Sequence, residues 1–112
     1  MRDTNEIIKE AKQSMGKMGK DYSEFMEAFG GLSKHSKSEG ALPKKVKELI
    51  ALALGVAEKC DWCIALHVQG CLDAGATRAE ILEACHPAVL MGGGPSLMYT
   101  QVVMKALDDL GA

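Results

Sequence analysis

The chain has 112 residues, enough for one hydrophobic core and too few for two independently folding units, so we expect a single domain over residues 1–112. Hydrophobic residues make up 47% of the chain, charged residues 25%, and the net charge is -2. These values argue against a disordered chain and against a nucleic-acid-binding protein, because neither strong charge nor low hydrophobicity is present.

The N-terminal segment and the cysteines bear on the compartment. Residues 1–12 are charged and lack the apolar centre of a secretory signal, and the longest apolar stretch, Leu49 to Ala57, is about half of what spans a bilayer. We therefore expect a cytoplasmic protein with no membrane partner. Four cysteines in such a protein, two of them only three positions apart, indicate redox or metal chemistry rather than a disulfide framework.

Apolar residues recur at spacings of three and four along the chain, and no segment alternates as a strand would. The first stripe, from Ile7 to Phe29, predicts one long or broken helix that stops at Gly30 and Gly31. The polar stretch Ser33 to Gly40 follows as a linker-like segment. A second helix is predicted with Pro43 in its first turn, and its apolar face contains Val46, Leu49, Ile50, Ala53, Leu54 and Ala57.

Three more helices are predicted in the second half of the chain. One runs from about Asp61 to Ala74 and is ended by Gly75. The next begins with a capping box of Thr77 and Glu80, and Pro87 bends it or ends it early. After a break at residues 92–95, the last helix covers residues 97–110.

These elements predict an all-α fold, a compact single-domain helical protomer of about five to six helices. Its core is short of aromatic residues and rich in Ala, Gly and Met, so each helix buries a modest area. Burial between subunits would supplement that core, and we expect a homo-oligomer. The methionines are interpreted as core or interface filling and not as metal ligands.

The residues with chemistry lie around the start of the third predicted helix. Cys60 and Cys63 are placed where free backbone N–H groups and the helix dipole favour a thiolate, and their spacing allows a disulfide. His67 follows Cys63 by one helical turn, so its imidazole can take the thiol proton. Glu48, on the preceding helix, could orient that imidazole or relay protons.

Each of these residues also has a structural interpretation. The cysteine pair could belong to a structural zinc site completed by His67, Cys71, Cys85 or His86. His67 alone would more often be a hydrogen-bonded core histidine, and its spacing from Cys63 reverses that preference. For Glu48 alone, a solvated position paired with Lys44 or Lys45 is favoured. Cys71 and Cys85 are predicted to be inert core residues, with no catalytic role.

A glutamate, eleven residues, Cys-x-x-Cys, three residues and a histidine make up the pattern formed by Glu48, Cys60, Cys63 and His67. This pattern resembles the alkylhydroperoxidase D-like branch of the carboxymuconolactone decarboxylase superfamily. The resemblance extends over about residues 20–110, through Leu42-Pro43, Lys47-Glu48-Leu49-Ile50 and Gly75-Ala76-Thr77 with Glu80-Ile81.

The resemblance implies an all-helical protomer that assembles into a homo-trimer or homo-hexamer, and a peroxidase cycle with no metal or other cofactor. Cys63 would be the thiol that attacks the hydroperoxide, Cys60 the resolving thiol, His67 the base and Glu48 part of the proton relay. An external dithiol or a thioredoxin-like reductant would restore the cysteine pair.

Two points stay open at the level of the sequence. Better-studied members of the branch can have a second histidine between the cysteines, where this chain has Trp62, which predicts a shorter proton relay, a less activated thiol or a different substrate. Exposure at the helix start would favour Cys60 as the nucleophile, whereas the histidine spacing and the family pattern favour Cys63. The alternative functions are a decarboxylase acting on a lactone in aromatic catabolism, and a non-catalytic zinc-stabilised helical module.

Overall fold

The computed structural model describes all 112 residues and consists of seven helices with no strand, which confirms the all-α class. In chain order the helices are α1 (Thr4–Asp21), α2 (Ser23–Ser36), α3 (Lys44–Ala57), α4 (Asp61–Asp73), α5 (Arg78–Ala84), α6 (His86–Gly92) and α7 (Gly94–Asp109). None of them is both long enough and apolar enough to cross a membrane.

Two of the five predicted helices are each divided in the structure. The first is broken at Tyr22, whose backbone leaves the helical region with φ -133° and ψ 60°. The fourth is divided at Cys85, and Pro87 lies in the first turn of α6, where a missing N–H has no helical partner to lose. The predicted effect of Pro87 is therefore confirmed, as is the capping box of Thr77 and Glu80 at the start of α5.

The predicted helix end at Gly30 and Gly31 is wrong. α2 contains both glycines and continues to Ser36, so the linker-like segment is reduced to residues 37–43. A glycine inside a helix costs only about 1 kcal/mol relative to alanine, which neighbouring helical hydrogen bonds can offset. The Ser36 hydroxyl donates to the Leu32 carbonyl at 2.6 Å and continues the bonding pattern past the glycines.

The main core lies between α3 and the helices that follow it. Its twelve buried residues are Leu52, Val56, Ile64, Val68, Cys71, Ala76, Ile81, Cys85, Ala88, Val103, Ala106 and Leu107. The predicted inner face of α3 is wrong in part, because Ile50 and Leu54 are 45% and 59% exposed while Leu52 and Val56 are fully buried. α3 is apolar on both sides, so periodicity alone does not show which side faces the protomer's own core.

α1 covers one side of α4, where Ile7, Ile8 and Ala11 form a small second cluster with Ala65. α2 extends away from this cluster and buries none of its residues. The large apolar side chains of the α2 segment are exposed: Tyr22 by 63%, Phe25 by 62%, Phe29 by 53% and Leu32 by 62%.

Candidate active site

The turn between α3 and α4 fixes the position of the first cysteine. The Lys59 N–H donates to the Val56 carbonyl at 3.1 Å, and the Cys60 N–H donates to the Gly55 carbonyl at 3.0 Å. This double hydrogen bond is the Schellman helix ending, which requires a left-handed residue, here Lys59 with φ 55°. Cys60 follows directly and is the N-cap residue of α4.

Cys60 and Cys63 form a disulfide across the first turn of α4, with their Cα atoms 5.2 Å apart. The Cys63 N–H donates to the Cys60 sulfur at 3.1 Å, so the helix N-terminus interacts with the sulfur of Cys60. Both cysteines are half-buried, and exposure therefore does not single out Cys60 as the sequence suggested. A Cβ atom added at Gly55 would lie 3.2 Å from the Cβ of Cys63, so this glycine lets α3 pass close to the pair.

Glu48 and His67 are in contact, and Glu48 is almost fully buried, with 2% of its surface exposed. The Oε2 atom of Glu48 lies 3.2 Å from Nδ1 of His67. An ionised carboxylate can only accept a hydrogen bond, so Nδ1 is the protonated nitrogen of a neutral His67 and Nε2 keeps its lone pair. The expectation that Glu48 is solvated and pairs with Lys44 or Lys45 is wrong, and Lys45 instead pairs with Glu80 at 2.9 Å.

Two residues that the sequence did not single out shape the surroundings of this carboxylate. The ammonium of Lys37 lies 3.3 Å from Oε1 of Glu48, on the side away from the imidazole. A Cβ atom at Gly70 would lie 2.2 Å from Oε2, so only glycine leaves room for the carboxylate against α4. Gly70 follows His67 by three residues and shares its helix face, a signal that helical spacing could have supplied.

His67 makes its hydrogen bond to Glu48 and none to either sulfur while the disulfide is formed. Trp62, between the cysteines, points towards α1 and is 41% exposed. The Arg2 guanidinium lies 5.4 Å from the centre of the Trp62 ring. Trp62 also lines an open groove of about 220 Å³ together with Ala11, Ser14, Met15 and Leu66.

The other two cysteines are fully buried, as predicted for inert core residues. Burial, and after it the negative charge of Glu48 and the neighbouring Cys85, raises the pKa of Cys71 to about 12. Burial raises the pKa of Cys85 to about 11. No three His, Cys, Asp or Glu side chains are arranged to hold a metal ion, so the ligand set of the zinc alternative is not assembled.

Comparison with known proteins follows the same features. The sequence model of the carboxymuconolactone decarboxylase family matches residues 23–106. A carboxymuconolactone decarboxylase family protein from Legionella pneumophila is 41% identical, with 97% of each chain covered and a TM-score of 0.93. A Thermotoga maritima protein of the same family, described with a possible involvement in an antioxidative response, is 27% identical over 93% of this chain and 89% of its own, with a TM-score of 0.83.

Two sequence relatives complete the comparison. An uncharacterised protein from Cupriavidus necator is 36% identical over 98% of this chain and 97% of its own. A nitrosuccinic acid decarboxylase from Metarhizium robertsii is 31% identical over a shorter region, 62% of this chain and 49% of its own.

Proposed function

Because the chain belongs to the carboxymuconolactone decarboxylase family, we propose that it is a thiol-dependent peroxidase that reduces hydroperoxides through Cys60 and Cys63. One observation carries the proposal: α4 holds a disulfide-forming pair in its first turn and, one turn later, a histidine hydrogen-bonded to a buried glutamate. The antioxidative involvement named for the Thermotoga maritima structure supports it.

The proposed cycle balances in three steps. A thiolate attacks the nearer oxygen of the hydroperoxide, the O–O bond breaks, and the leaving alkoxide takes a proton to become an alcohol. The resulting sulfenic acid condenses with the second thiol, which forms the disulfide and releases water. An external dithiol then reduces the disulfide by thiol exchange and is itself oxidised, which returns two thiols to the protein.

We assign the attack to Cys63 and the resolving step to Cys60. In the reduced protein, Cys63 precedes His67 by one helical turn, and the free Nε2 of His67 can accept the thiol proton. Cys60 is the N-cap residue, where the Cys63 N–H and the helix dipole favour a thiolate that can condense with the sulfenic acid. A neutral His67 held by Glu48 is therefore the proton acceptor, and the protonated imidazole is the donor to the leaving alkoxide.

Single-cysteine variants test this assignment. Cys60→Ser keeps the attacking thiol and removes its resolving partner, so peroxide should leave a sulfenic acid on Cys63 that a dimedone-type probe traps. Cys63→Ser should abolish turnover and trapping. Labelling of Cys60 in the Cys63→Ser protein would reverse the assignment, and activity of both variants without labelling would remove the thiol mechanism.

The proton relay has its own test. His67→Ala should slow the attack by about 10²- to 10⁴-fold, the usual contribution of a general base. Glu48→Gln should cost less, because its carboxylate acts on the imidazole and not on the thiol. Stopped-flow measurement of Trp62 fluorescence during oxidation by a hydroperoxide gives both rates, since the single tryptophan lies between the two cysteines.

Decarboxylation is the second candidate, and the named activity of the Metarhizium robertsii relative favours it. Glu48 and His67 could act as acid and base on a carboxylated substrate without any change at the cysteines. A Cys60→Ser, Cys63→Ser double variant separates the two functions. It should lose all peroxide reduction, whereas a decarboxylase would keep its release of carbon dioxide.

A further inference from the structure

Lys37 is the cation nearest to the buried end of the proton relay. It lies at the C-terminal end of α2, and its ammonium is 3.3 Å from Oε1 of Glu48. Its side chain is 30% exposed, whereas the side chain of Glu48 is 3% exposed. Lys37 also lines an open groove between α1 and α2, so the ammonium stands at the boundary between solvent and the buried carboxylate.

Few groups can balance the charge of Glu48. The ionisable side chains that face it are Lys37 from the end of α2, and His67 and Cys71 from α4. Cys71 stays a neutral thiol because its pKa is raised to about 12. An unbalanced carboxylate is strongly disfavoured when it is buried, so either Lys37 or a protonated His67 must supply the positive charge.

We propose that Lys37 is a positioning residue that balances the charge of Glu48 and thereby leaves His67 neutral, so that its Nε2 can accept a proton. This inference deepens the peroxidase proposal and rests on it for the identity of the thiol that gives up the proton. With Lys37 in place, Glu48 needs only a neutral N–H donor on its other oxygen, and the imidazole supplies that from Nδ1. Without Lys37, the charge would be balanced by a proton held on the Glu48–His67 pair.

The sign of the effect follows from electrostatics. Removal of a positive charge makes every nearby group hold its proton more tightly. In Lys37→Met, His67 should therefore lose its proton only at a higher pH, and peroxide reduction should begin at a higher pH as well. Lys37→Arg keeps the charge, so it separates the loss of charge from the loss of the original side chain.

The test follows His67 directly by NMR in the reduced, full-length protein labelled with ¹⁵N-histidine. His35 and His86 are exposed and serve as internal references in the same spectra. We expect the titration midpoint of His67 to rise by about one pH unit in Lys37→Met, as opposite charges at this distance usually produce. Peroxide reduction at pH 7 should fall about tenfold, because one pH unit is a tenfold change in the deprotonated fraction.

Lys47→Met is the matched control. The Lys47 ammonium donates to the Ser38 carbonyl at 2.8 Å, so it holds the same connection between α2 and α3 without contact to Glu48. We expect the His67 titration of this variant and of Lys37→Arg to match the wild type. An unchanged His67 titration in Lys37→Met, or an equal shift in Lys47→Met, would overturn the proposal. If His67 shifts as expected while the wild type reduces no hydroperoxide, the charge-balancing role of Lys37 stands and the peroxidase proposal fails.

Discussion

Gly70 leaves the space that the Glu48 carboxylate occupies. In Gly70→Ala the new Cβ would lie 2.2 Å from Oε2 of Glu48, so the carboxylate must move or the helices must separate. We expect a loss of about 1 to 3 kcal/mol in the free energy of unfolding, as for other overpacked sites. Peroxide reduction should slow as well, because His67 loses its hydrogen-bond acceptor. Chemical denaturation and peroxidase assays measure the two effects.

Gly16→Ala is the control for that experiment. Gly16 lies in the middle of α1, and a Cβ atom there meets nothing within 4 Å. Alanine favours a helix over glycine, so this variant should be at least as stable as the wild type and fully active. Equal behaviour of the two variants would contradict the close fit of Glu48 against α4.

At the scale of residues, the sequence predicts contacts within one helix better than contacts between helices. Cys60, Cys63 and His67 lie on one helix, so their spacing alone brings them together. Glu48 reaches His67 from α3, and the residues alone favoured a solvated position for it. Lys37 reaches Glu48 only because the connection after α2 folds back, and no local pattern predicts such a contact.

Three helices end in the same way, with one left-handed residue and a pair of backbone hydrogen bonds. This residue is Gly75 after α4 and Gly111 after α7, but Lys59 after α3. A side chain costs about 1 kcal/mol or more in this conformation, and glycine has no such cost. Lys59→Gly should therefore raise the free energy of unfolding by about 0.5 to 1 kcal/mol. Urea denaturation of the oxidised protein at one protein concentration measures the change.

Gly75→Ala is the opposite substitution in the same motif. With φ 88° at Gly75, alanine should destabilise the protein by about 1 kcal/mol. A destabilised Lys59→Gly protein would mean that the Lys59 side chain contributes more than its backbone conformation costs.

At the scale of elements, local capping chemistry predicts the helix boundaries well. Thr77 with Glu80, Gly75 and Gly111 mark real boundaries, because each supplies a hydrogen bond or a conformation that a helix end needs. The break at Tyr22 has no capping side chain, so no local signal announces it. The inner face of α3 depends on which helices pack against it, which is a tertiary property.

At the scale of the molecule, Asp109 joins the last helix to the first. Its Oδ2 accepts from the Thr4 N–H at 2.9 Å, from the Thr4 hydroxyl at 3.0 Å and from the Lys105 ammonium at 2.8 Å. The Lys105 hydrogen bond and then the Thr4 N–H lower the pKa of Asp109 below its ordinary value of 3.8. The stabilisation is therefore complete above pH 3.8 and is lost as the pH falls through the lowered pKa.

Asp109→Asn tests this contact. The variant should melt below the wild type at neutral pH, and the gap should close on acidification, because protonated Asp109 is also neutral. Thermal unfolding followed by circular dichroism across this range measures the gap. A gap that does not change with pH would show that the charge of Asp109 contributes nothing.

The exposed apolar surface of α2 predicts self-assembly. Phe25, Phe29 and Leu32 are each more than half exposed, and α2 buries none of its residues. Such a surface is larger than a soluble monomer usually shows to water, and we expect an obligate homo-oligomer, a trimer or hexamer by family resemblance. Light scattering should give a multiple of the 12.0 kDa protomer mass, and Phe29→Glu should lower it. A stable wild-type monomer at micromolar concentration would contradict the prediction.

A count of thiols in denaturant, before and after one equivalent of hydroperoxide, tests the peroxidase proposal most directly. The fully reduced chain has four thiols. After the peroxide, two should remain, and they should be Cys71 and Cys85, which are buried and stay protonated near neutral pH. Mass mapping should find the disulfide between Cys60 and Cys63. Four thiols remaining after the peroxide would show that the pair does not reduce hydroperoxides.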